Sequence, residues 1–213
     1  MNLKTHSTQV FAVFFCTVNS LNFISCKQAE PRNDKLVVSN HTNGHPVNSQ
    51  MYGLDKSPMD MAYYPVDYPI KKMSGKIDGD LVVRVIYSRP RVEGRKIFGD
   101  IISYGSAWRL GANEATEIEF FRDVTILGKK VEKGRYILYC IPSENSWMLI
   151  LNSELNTWGL KIDPAKDVQK FEIPNQKLNQ QIEVFTMEFT GTEKDIELQI
   201  GWDSVKVALP ISY

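Results

Sequence analysis

Histidine, cysteine and net charge are all scarce in this chain of 213 residues. It has three histidines, and all of them (His6, His41 and His45) precede residue 57. The region from Ser57 onward therefore cannot supply a Ser-His-Asp or Cys-His catalytic group, a histidine-ligated zinc or a zincin helix. Three cysteines are too few for a disulfide framework. Only Cys140 falls in the presumptive folded region, inside the apolar run Tyr136-Ile137-Leu138-Tyr139-Cys140-Ile141, where a buried, inert thiol is expected. Lys and Arg total 25, and so do Asp and Glu, so no general attraction draws the chain to nucleic acid. No P-loop or dinucleotide fingerprint occurs, and no internal repeat stands out. These patterns assign no catalytic residue, no cofactor and no metal ion.

What is present begins with an address. Lys4 precedes a short apolar run, Val10 to Cys16, far below the ~20 apolar residues of a membrane-spanning helix. Phe23-Ile24-Ser25-Cys26 follows and resembles a bacterial lipobox, in which the chain is cut before the cysteine and lipid is attached to it. Residues 1–25 are therefore expected to be a lipoprotein-type signal peptide, with Cys26 the lipidation site. The expected location is outside the cytoplasm, periplasmic or anchored to the outer membrane, with the lipid on Cys26 as the contact with the membrane. Residues 26–56 are polar and without periodicity, which predicts a flexible tether. Residues 57–213 are expected to form a single all-β domain.

The β signal is strongest from residue 81. Leu81 to Ser88 is rich in β-branched residues, and Thr116 to Phe121 puts Ile118 and Phe120 opposite Glu117 and Glu119. Val124 to Val131 brackets Gly128, and Arg135 to Ile141 follows Gly134. Trp147 to Leu151 is apolar on both faces, as a central strand should be. Glu183 to Phe189, Ile196 to Trp202 and Val205 to Leu209 all alternate, the last two separated by an expected turn at Asp203-Ser204. Short period-2 runs with turn-sized gaps predict an antiparallel β-sandwich or flattened barrel. Only Pro174 to Gln181 looks able to form a brief helix.

The alternation stops between Tyr87 and Thr116, leaving one long Gly/Arg/Trp-rich loop. Loops of this length in a compact domain usually have a role. The candidate ligand contacts are Arg89, Arg95, Tyr104, Trp108, Arg109, Asn113 and Glu114, joined by Trp158 from later in the chain. Arginine forks bind carboxylates and phosphates in bidentate fashion, and indole faces stack on sugars. The same residues could equally brace the loop internally, through an Arg–Glu114 pair and a Trp108 plug. Three readings follow. One is an exported module binding a small anionic or sugar-like ligand, or a partner's loop. Another is a hydrolase acting on carbohydrate through a carboxylate pair such as Asp100 and Glu114, since two carboxylates suffice for glycoside cleavage. The third is a structural envelope component.

Several strings in and after this loop resemble domain-of-unknown-function family 2911, known from secreted proteins and lipoproteins of Gram-negative bacteria. They are Tyr87-Ser88-Arg89-Pro90, Gly94-Arg95-Lys96-Ile97-Phe98-Gly99, Trp108-Arg109-Leu110-Gly111-Ala112-Asn113-Glu114-Ala115-Thr116, Gly134-Arg135-Tyr136 and Leu155-Asn156-Thr157-Trp158-Gly159. Ser57-Pro58-Met59-Asp60 resembles the family's entry motif. The resemblance implies the domain boundary, the β class and export; the family carries no assigned reaction.

Overall fold

A computed structural model describes residues 55–213 apart from Asp78 and Glu193. The expected signal peptide, Cys26 and all but the last two residues of the tether lie outside the described residues. The described chain forms two antiparallel sheets stacked as a sandwich. Strands β1 (Met59–Tyr64), β2 (Val83–Ser88), β3 (Glu117–Phe120), β6 (Gly134–Pro142), β7 (Ser146–Asn152) and β8 (Asp167–Pro174) make a six-stranded sheet in the order β1-β2-β3-β6-β7-β8. Strands β4 (Val124–Ile126), β5 (Lys129–Val131), β9 (Gln176–Thr192) and β10 (Asp195–Ser212) make a four-stranded sheet in the order β5-β4-β10-β9. The two sheets remain separate, so the sandwich holds and the flattened barrel does not.

The alternation seen in sequence sets the two faces. On β2, Val83, Val85 and Tyr87 point into the core, while Arg84 and Ile86 point out. On β3, Ile118 and Phe120 are buried between the sheets, and Glu117 and Glu119 lie on the outer face beside Arg135 and Arg84. The centre of the core is aromatic. Phe98, Trp108, Trp147, Phe185 and Trp202 meet edge-to-face or stacked, with Trp108 and Trp202 rings 5.7 Å apart and 22° from parallel. Burying such rings is the largest apolar contribution a small domain has.

Three expectations are corrected. Pro174 to Gln181 is strand, because β9 starts at Gln176 and pairs there with β10 (Gln176 with Lys206, Lys177 with Val205), and tertiary pairing overrides weak local helix preference. Asp203-Ser204 is no turn: β10 runs through it as a register shift, with Asp203 at φ 53° absorbing the irregularity. The helix lies instead at Tyr68–Met73, α1, with Pro69 in its first turn, Lys71 and Lys72 in its last, and no buried residue. No helix among the described residues is long and apolar enough to cross a membrane.

The outer face of the six-stranded sheet is partly covered. Ile137, Tyr139, Ile150 and Asn152 all point outward yet are buried. The segment 153–166 leaves β7, reaches residues 109–115 beside β3 and returns to β8, crossing that face. Three sets of contacts hold it. Asn152 donates to the Asp163 carbonyl and to Asp167, and the Tyr139 hydroxyl donates to Asp167 at 3.0 Å. Gly159, at φ 76°, packs so closely that a Cβ there would lie 2.8 Å from the Ala115 Cβ and 3.0 Å from the Arg109 Cβ. Burial raises the Asp167 pKa, but hydrogen bonds from Asn152, Lys170 and Tyr139 outweigh it and leave the carboxyl below its ordinary value.

Candidate functional site

The long loop is a core element for much of its length. Ile97, Phe98, Ile102, Trp108 and Leu110 are buried. The Trp108 backbone exchanges both hydrogen bonds with Cys140, at 2.8 and 2.9 Å, extending the sheet where β3 has not yet begun. Its indole nitrogen donates to the Gly111 carbonyl at 3.1 Å, so Trp108 is a satisfied plug between the sheets and offers no stacking face. Gly111 is required nearby because a Cβ would meet the Ser88 Oγ at 2.5 Å. That oxygen accepts the backbone N–H groups of Ala112 and Asn113, which seats the loop on the end of β2.

The arginines separate. Arg89, just past the end of β2, ties β1 to β9: it donates to Asp60 on β1 at 2.9 Å and, on β9, to the Phe185 carbonyl and the Thr186 hydroxyl. Arg95 is exposed and donates only to the carbonyls of Arg91 and Val92 in its own turn. Arg109 is partly buried against Gly159 and donates to the Ala112 carbonyl; its Nε has no partner, and desolvation lowers its pKa. None of the three pairs with Glu114. Asn113 reaches back to Ser57 and Asp55, fastening the entering chain to the loop. Tyr104 is exposed and packs beside Gly99, and Asp100 is paired with Lys96 at 3.2 Å.

Glu114 and Trp158 do come together. They line a groove of ≈ 480 Å³ with Met59, Ile86, Ala115, Glu117, Asn156 and Thr157. That volume is within the roughly 300–1,000 Å³ of small-molecule sites. The floor is the outer face of β1, β2 and β3, and one wall is the 156–158 stretch of the crossing segment. Trp158 is 52 % exposed and Met59 44 %, in contrast to Trp108 at 8 %. Glu117 is committed to Arg135, whereas the Glu114 carboxylate has no hydrogen bond or ion pair among the described residues. Met59, Ile86 and Glu117 are floor residues that sequence reasoning missed. The available signal was parity: Ile86 and Glu117 sit opposite each other in register, on the face that the core does not use.

Among the described residues no three His, Cys, Asp or Glu side chains gather as a metal set. Searches of curated proteins and of solved structures return no match. The family model described as "Protein of unknown function (DUF2911)" matches residues 68–211, which takes in β2 through β10 and every groove residue except Met59. With well over half of its length covered, the chain belongs to the DUF2911 family.

Proposed function

We propose that the protein is an exported, lipid-anchored binding module of the cell envelope, and that its ligand is a small, flat, sugar-like molecule held in the Trp158 groove. The observation that carries the reading is a half-exposed indole on a groove of small-molecule size, beside the unpartnered carboxylate of Glu114. An aromatic ring kept in solvent costs hydrophobic free energy, and stacking on a ligand recovers it. The anionic ligand considered from sequence loses support, because Arg89 and Arg109 serve internal hydrogen bonds and the groove wall is acidic. Export and lipidation rest on residues 1–26, whose apolar run and Ile24-Ser25-Cys26 support them.

Two measurements test the reading. A thermal-shift screen of saccharides should find ligands whose stabilisation disappears in Trp158→Ala while the unliganded melting temperature stays put. A screen in which every hit is indifferent to Trp158 refutes the groove. Labelled palmitate should enter the wild-type chain and not Cys26→Ala; equal labelling refutes the anchor.

Glu114 and Glu117 share the groove, which favours a second reading as a carbohydrate hydrolase with these two carboxylates in place of Asp100 and Glu114. Release of reducing ends from an oligosaccharide, lost in Glu114→Gln, would establish it.

A further inference from the structure

The charges around the groove point to its ligand more narrowly than its shape does. Two carboxylates, Glu114 and Glu117, line it, and no lysine or arginine does. Of the guanidinium groups on neighbouring stretches, Arg135 pairs with the groove's own Glu117, Arg84 with Glu119 and Arg89 with Asp60, while Arg109 donates to the Ala112 carbonyl. Of the two groove carboxylates, Glu114 is thus the one without an ion pair or hydrogen bond among the described residues. The same groove is lined by the Trp158 indole, and indole faces attract cations through their quadrupole. The remaining lining combines the Met59 thioether and the Ile86 and Ala115 side chains with the polar Asn156 and Thr157. A carboxylate, an indole face and a thioether form an environment suited to an organic ammonium group. An anion is disfavoured there; a neutral sugar can donate hydroxyl hydrogen bonds to the carboxylate, but a cation compensates its charge as well.

We infer that the groove takes a saccharide bearing a protonated amine, with the ammonium group between the Glu114 carboxylate and the Trp158 ring. The inference rests on the Trp158 groove being the ligand site. Its volume suits a sugar-sized body, and the half-exposed Trp158 side chain can contact such a ligand beside Glu114.

Three trisaccharides of the same β-1,4 backbone decide it, differing only at C2: the glucosamine trimer (ammonium), the N-acetylglucosamine trimer (amide) and cellotriose (hydroxyl). Each is titrated calorimetrically at pH 6 into the mature chain carrying Cys26→Ser, which stays free of lipid. The ammonium trimer should bind about tenfold more tightly than cellotriose, the factor expected for one partly solvated cation–π and ion-pair contact. In Glu114→Gln that preference should disappear, with the folded state unaffected because the side chain is exposed and unpaired. Raising NaCl from 50 to 500 mM should shrink it as well. If the neutral trimers bind as tightly as the ammonium trimer, and Trp158→Ala abolishes them, the charge inference fails while the groove stands as the binding site. If none of the three binds, or binding is indifferent to Trp158, the groove itself is refuted and the inference with it. Retention of the ammonium preference in Glu114→Gln also overturns the inference.

Discussion

Replacing Tyr87 with phenylalanine should weaken the sandwich by removing a hydroxyl that ties one sheet to the other. The Tyr87 oxygen donates to the Met187 carbonyl at 3.2 Å and accepts the Met187 N–H at 3.0 Å. A side chain of one sheet thus satisfies both backbone groups of a residue in the other. Met187 is buried, so no water can take over when the hydroxyl is gone. The ring itself would stay, edge-on to Phe185 with centroids 5.8 Å apart, so no cavity opens and the change isolates the polar loss. Leaving a buried donor or acceptor unmet costs about 1–3 kcal/mol, and two such groups together cost on the order of 2–4 kcal/mol. In a domain of this size each kcal/mol is worth roughly 2–4 °C, so the melting temperature should fall by roughly 5–15 °C. Urea unfolding of Tyr87→Phe should show a lower midpoint with unchanged slope. The control is Tyr63→Phe, whose hydroxyl reaches only the Met61 sulfur at 3.5 Å on an exposed surface and should cost less than ~0.5 kcal/mol. If the two variants unfold alike, the inter-sheet tie carries no free energy and the reasoning fails.

Gly159→Ala should loosen the crossing segment, since the left-handed backbone alone costs roughly 1–2 kcal/mol for an L side chain and the added Cβ would meet Ala115 and Arg109; a melting curve unchanged from wild type would contradict the packing described. Arg89→Ala should lower stability by about 1–3 kcal/mol through loss of the contacts to Asp60, Phe185 and Thr186, while Arg95→Ala stays within about 1 kcal/mol, and equal losses would show that these hydrogen bonds do not decide the difference. The Asp167 carboxyl is held below its ordinary value of 3.8, so its contribution is present above that pH and is lost as pH falls through the depressed value. Hydrogen exchange in residues 153–166 should accordingly rise in that acid window ahead of exchange in β6 and β7, and Asp167→Asn should show the same local opening at neutral pH; exchange that rises everywhere together would refute it.

What the sequence disclosed and what it withheld differ for one physical reason. Period-2 alternation is local, so β3, β6 and β7 were legible from their own residues, and β10 was legible as two halves on either side of an expected turn. β8 was not, because only Phe171 and Ile173 of its eight residues are fully buried, and α1 was not, because it buries no residue and has no apolar face to report. The loop residues posed a different problem. Their chemistry marked them as unusual, but their roles depend on partners far along the chain. Arg89 is a brace because Asp60 lies 29 residues before it and Phe185 96 residues after it. Trp108 and Trp158 are the same residue type in equally Gly-flanked stretches, and only the pairing of Trp108 with Cys140 draws one indole into the core while the other stays at the surface. The groove is the extreme case: its residues come from β1, β2, the end of the long loop running into β3, and the crossing segment, and none of these stretches is exceptional alone. A groove assembled from four separated stretches leaves one readable trace in sequence, an aromatic with no core position to fill. Trp158 is that trace, and its neighbours became identifiable only once the register of β2 and β3 had placed Ile86 and Glu117 on the same face.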